Sequence, residues 1–167
     1  MLKPLLTGIM VSAMLATATL SAAQSVQSVV NTTESFTYIH RSDDPHRPGS
    51  LLASKSPAQT LADNGGDCID MATYFTVAMS ALGFNTERVA EKVTMPKSGT
   101  NGHVIGIATD GLTVWRSSND VITIFNSVED AVAEGGQETL PPGTVISNRV
   151  VYGGNYIPNQ LLKYDGQ

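Results

Sequence analysis

Gly65-Gly66-Asp67-Cys68-Ile69-Asp70-Met71-Ala72-Thr73-Tyr74-Phe75, running on through Ala78-Met79-Ser80-Ala81-Leu82-Gly83-Phe84, is the stretch on which the reading of this chain turns. Met71, Phe75, Ala78 and Leu82 recur at steps of four, three and four, which lines one face of a helix and buries it. Asp67 is placed to cap that helix, Asp70 three residues on completes a capping box, and Gly83 ends the pattern. Cys68, the only cysteine, falls in the first turn. There the helix dipole and the free amides favour a thiolate and a lowered pKa.

Upstream of this helix, Lys3, an apolar run from Leu5 to Leu20 and Ser21-Ala22-Ala23 have the form of a secretory signal, expected over residues 1–23. The run is interrupted by Thr7, Ser12, Thr17 and Thr19 and is too short to span a bilayer, so no stable membrane span is expected after cleavage. Residues 24–167 then form one domain, exported to the periplasm or secreted. The formal net charge of -5 argues against nucleic acid as a partner. A single exported cysteine has no internal disulfide partner, which raises the interest of its thiol.

Gln24–Thr33 is a polar, serine-rich arm or a first short element, and Ser35–His40 an extended entry. Arg41–Ser50 is a loop whose His40, Asp43, Asp44 and His46 are ligand types, though a solvated, charge-balanced loop explains them as well. Ser56-Pro57 opens a short helix. Strands are expected over Asn85–Val93, His103–Thr109, Leu112–Arg116, Val121–Phe125 and Val145–Tyr152, with a helix over Ser127–Glu134. Asp110-Gly111 marks a hairpin turn, so His103 and the residues Ser117 to Asp120 are brought to the same end of it. A helix group followed by strands gives an α+β fold with a mainly antiparallel sheet.

Cysteine catalysis needs a thiolate, an imidazole that accepts and returns its proton, and a group that fixes the imidazole. Cys68 and His103 supply the first two. The backbone amide of Cys68, helped by Gln59 or Asn64, is a candidate oxyanion donor.

Gly66-Asp67-Cys68-Ile69-Asp70, the helix ending at Leu82-Gly83, and Gly102-His103-Val104 followed by a hairpin together resemble the bacterial transglutaminase-like cysteine proteinases. The resemblance covers Leu51 to Phe125. It implies a papain-like, transglutaminase-like core in which N-terminal helices, with the nucleophile helix among them, pack on the sheet. It also implies a periplasmic thiol protease of the adhesin-releasing group, acting on a protein or peptide through an acyl-enzyme. Cys68 would be the nucleophile and His103 the general base and acid, with Asp120 orienting the imidazole and Asn119 or Ser117 as alternatives. Adhesin-releasing members bind calcium through acids flanking the cysteine; here Ile69 follows it, leaving Asp67 and Asp70 as calcium candidates, and otherwise no cofactor is expected. Two other outcomes stay open: a non-catalytic module that binds a protein or peptide in its groove, and an acyl-transferring transglutaminase or amidase. Sequence leaves the oligomeric state undetermined.

Overall fold

The computed structural model describes residues 25–50 and 52–164; the expected signal segment lies outside the described residues. The elements run α1 (Val26–Glu34), β1 (Thr37–Tyr38), α2 (Pro57–Ala62), β2 (Gly65–Gly66), α3 (Cys68–Ala81), β3 (Asn85–Met95), β4 (Gly99–Thr109), β5 (Val114–Ser118), β6 (Val121–Phe125), α4 (Val128–Glu134) and β7 (Val145–Gly153). A short 3-10 turn, Gln137–Thr139, follows α4. The fold is α+β. Five strands form one antiparallel sheet in the order β6-β5-β4-β3-β7, and β1 pairs with β2 in a separate parallel pair.

α3 begins where its caps direct it to. The Asp67 carboxylate accepts from the amides of Ile69 and Asp70, and the Asp70 carboxylate accepts from the amide of Asp67, closing a capping box. Its buried face is wider than the sequence periodicity suggests and takes in polar residues: residues 69–76, Asp70, Thr73 and Thr76 among them, are all buried, together with Ala78 and Met79. Each fully buried Met or Phe side chain contributes about 1.5–3 kcal/mol relative to exposure.

Residue parity fixes what lies on each side of the sheet, because successive side chains along a strand point to opposite faces. Val104, Gly106 and Ala108 of β4 face α3, and Ala72, Ala90, Val104 and Ile69 form one buried cluster. A Cβ on Gly106 would meet the Phe75 ring and the Ala72 carbonyl at 3.0–3.1 Å, so glycine lets α3 settle this close. The opposite face carries His103, Ile105 and Ile107, where Ile105, Ile107, Val89, Val114 and Ala131 pack beneath α4.

Of the two expectations for Gln24–Thr33, an arm or a first short element, the second holds, as a capped helix. Ser25 accepts from the Ser28 amide, and Val29, fully buried, joins Met71, Tyr74 and Phe75 of α3. Tertiary packing of one valine-centred stripe overrides the weak helical signal of a serine-rich segment. Among the described residues no helix is long and apolar enough to cross a membrane.

Candidate functional site

Cys68 opens onto a cleft of about 290 Å3 beside the start of α3. Tyr38, His40 and Arg41 line one side, Asn101 to Val104 of β4 another, and Leu162 and Tyr164 of the C-terminal segment a third. The sulfur, partly exposed, accepts a hydrogen bond from the Val104 amide. Tyr38 and His40 meet edge-to-face, with centroids 6.0 Å apart. Burial, followed by the neighbouring Cys68 and the Asp67 carboxylate, pushes the Tyr38 phenol up to about 12.

The thiol itself is held protonated. Burial raises its pKa to about 12, and the Asp67 carboxylate adds to this, against smaller opposing effects from the Val104 amide and Arg41. The sequence expectation was a lowered pKa. It is reversed first because the thiol is desolvated by burial, and then because the Asp67 cap, which uses the amides of Ile69 and Asp70, sets a negative charge beside the sulfur. Arg41 ion-pairs with that same carboxylate, and its guanidinium also donates to the Ser50 and Ala53 carbonyls at 3.0 and 3.3 Å.

His103 is on the far side of the sheet from the thiol. Its cross-strand neighbour is Glu91, and its Nε2 lies 2.9 Å from Ser118 Oγ, which in turn is 2.6 Å from Thr139 Oγ1. The imidazole lies directly under Gly136, where a Cβ would overlap the ring. It is 4 % exposed, and burial, followed by the nearby Arg116 cation, lowers its pKa to about 4. Cys68 and His103 both border the cleft, but the His103 ring nitrogen bonds Ser118 and not the thiol. Val104, one residue on, is the position that faces Cys68.

The expected orienting residues are also redistributed. The ladder register pairs Ile105 with Ser118, so continued pairing would set Asp120 opposite His103. β5 ends at Ser118 instead. Asn119, at φ 50, and Asp120 form the two-residue turn into β6, with Ser118 paired to Val121 and Asp120 exposed. Ser117, paired with Gly106, belongs to the α3 face, and its hydroxyl donates to the Asn119 carbonyl at 3.2 Å. Ser118 is the residue that holds the imidazole.

The proposed oxyanion amides lie elsewhere. Gln59 donates to Asp63 at 2.7 Å and is 3.2 Å from His46, while Asn64, at φ 52, accepts the Thr37 amide on its carbonyl. Neither lines the cleft. The calcium candidates are engaged by protein donors: Asp67 as above, and Asp70 by the amides of Lys55 and Asp67 at 2.7 and 3.2 Å. Burial and the Asp67 charge push Asp70 up to about 6.

Of the loop ligand types, Asp44 and His46 come together with Asp63. A cation already fills the space between the carboxylates. Lys55 Nζ lies 2.8 Å from both Asp44 and Asp63 and donates to the Gly65 carbonyl at 3.1 Å. His40 lines the Cys68 cleft instead, a placement its position ahead of a charged loop gave no sign of.

No protein-family description, no curated protein and no solved structure matches this chain.

Proposed function

We propose that this chain is a transglutaminase-like module that holds a peptide or protein segment in the cleft beside Cys68 without hydrolysing it. The element order supports the architecture: a helix with cysteine as its first residue packs on an antiparallel sheet whose strands follow it in sequence. One observation carries the absence of hydrolysis, namely that the His103 imidazole bonds Ser118 on the sheet face away from α3. A thiol with a pKa near 12, with the His103 imidazole bonded to Ser118 instead, is a wall of the groove rather than a nucleophile. The apolar floor of Ile69, Ala90 and Val104, edged by Tyr38, Asn101 and Tyr164, suits an amide backbone carrying mixed side chains.

The test is the rate of Cys68 alkylation by iodoacetamide at pH 7. The expected rate is no higher than that of free cysteine and is the same in His103→Ala. A rate more than about tenfold above free cysteine, lost in His103→Ala, would sink the reading.

A cysteine peptidase is the second reading, favoured by His40, which lines the same cleft as the thiol and is not bonded to Ser118 as His103 is. In it the sulfur attacks an amide carbonyl, the amine leaves with a proton from the imidazole, and water releases the acyl group. Amide hydrolysis lost in both Cys68→Ala and His40→Ala, and kept in His103→Ala, is its signature.

A further inference from the structure

The C-terminal segment after β7 supplies one wall of the Cys68 cleft, and the way it is fastened is distinctive. Arg88, 1 % exposed, reaches from β3 to donate to the carbonyls of Gly153 and Asn155 and to Gln160 Oε1 at 2.7–2.9 Å through one nitrogen. Beyond Gln160 the attachment thins. Leu162 donates its amide to the Leu52 carbonyl at 2.9 Å, and the Tyr152 phenol both donates to the Lys163 carbonyl at 2.7 Å and accepts from the Lys163 amide at 2.9 Å. There is no helix or strand ladder over 161–164.

The side chains of this stretch alternate. Leu161 and Lys163 are exposed, while Leu162, 2 % exposed, enters the cluster of Ile69, Ala72, Ala90 and Val104 beside Cys68. The Tyr164 ring covers Gly102, standing 3.5 Å from where a Cβ would be. An aliphatic side chain and an aromatic one two residues later thus dock into the groove, held among the described residues by few backbone bonds. Alternate side chains seated in a groove are also how an extended peptide is recognised in trans. Segments attached so sparsely open at free energies well below global unfolding.

We infer that residues 160–164 are a built-in ligand of the cleft, occupying the place that a peptide partner with an aliphatic residue two positions before an aromatic one takes when the tail detaches. The inference rests on the reading of the cleft as a peptide groove, and adds the partner's side-chain pattern and the means of control. Tail and partner compete for one site, so a change that loosens the tail raises both the exposure of Cys68 and the apparent affinity for the partner.

The experiment uses the full chain with Tyr152→Phe, which removes only the phenol hydroxyl that fastens Lys163, and with Tyr164→Ala as a second variant. Thermal unfolding establishes that each is folded. Losing the two phenol hydrogen bonds should raise the rate of Cys68 alkylation roughly tenfold. A fluorescent peptide with the sequence of residues 159–164 should bind Tyr152→Phe about tenfold tighter than the unsubstituted protein and slow the alkylation again. Alkylation unchanged in both folded variants overturns the inference, as does faster alkylation without any gain in peptide affinity. Failure of the non-hydrolytic reading would be seen separately, as cleavage of the peptide.

Discussion

Cys68 and His103 lie on opposite faces of one antiparallel sheet, because the cysteine packs against Val104 and the histidine is its neighbour in β4. A slip of one residue in the pairing of β4 with β3 and β5 would reverse this. In the observed arrangement the imidazole belongs to the layer under α4, with Glu91, Ser118 and Thr139, and the thiol to the layer of α3.

The pH dependence of alkylation follows from the thiol's environment. With its pKa raised to about 12 by burial and Asp67, Cys68 has no ionisation near neutrality. Its alkylation rate is expected to climb steadily between pH 6 and about 9, with no plateau. A plateau below pH 8 would mean a thiolate stabilised in the folded protein, contrary to the geometry.

His103 makes the fold sensitive to acid. Its folded pKa, near 4, is depressed below the ordinary 6.5 by burial and Arg116, so between those values the unfolded chain binds a proton the native state does not. Stability therefore falls as pH drops from 6.5 to 4, by roughly 3 kcal/mol for this group. Asp70 works in the opposite sense, because its raised pKa lets the native state take up a proton first. Urea unfolding of the protein minus that of His103→Asn isolates the histidine, and a difference that stays flat with pH would contradict its neutral burial.

Arg88 holds the start of the tail with no carboxylate partner among the described residues. It donates to Thr73 Oγ1 at 3.2 Å as well as to the tail, and burial lowers its pKa. Arg88→Met is expected to lose about 2–4 kcal/mol of stability and hydrogen-exchange protection over residues 153–160, since several acceptors lose their donor at once. Loss confined to stability, with protection there unchanged, would show that the arginine does not anchor the tail.

Lys55 takes the position a metal ion would need between Asp44 and Asp63. Burial alone would lower its pKa, but its bonds to Asp44 and Asp63 outweigh that and raise it. The protein's melting temperature is expected to be the same with calcium as with chelator. Lys55→Met leaves two carboxylates facing each other and should cost about 3 kcal/mol. Stabilisation of the unsubstituted protein by millimolar calcium would refute the assignment.

Sequence alone determined a good deal. The capping box at Asp67 and Asp70, the α3 periodicity and the Asp110-Gly111 turn are local signals, written within a few residues, and the α+β class with its antiparallel sheet follows from their order. Local signals do not carry register. Which face of β4 meets α3 is decided by the fit of Gly106 beneath Phe75 and of Val104 against Ile69 and Ala72, and that choice sent His103 to the other side. The end of β5 at Ser118 is a matter of one asparagine turning at positive φ, which removed Asp120 from the ladder and left a serine beside the imidazole. The tail's place in the cleft depends on Arg88, 72 residues before its partner Gln160, a contact that no pattern along the chain announces. Residue types and short-range spacing gave the elements; packing between distant segments decided which side chains share a site.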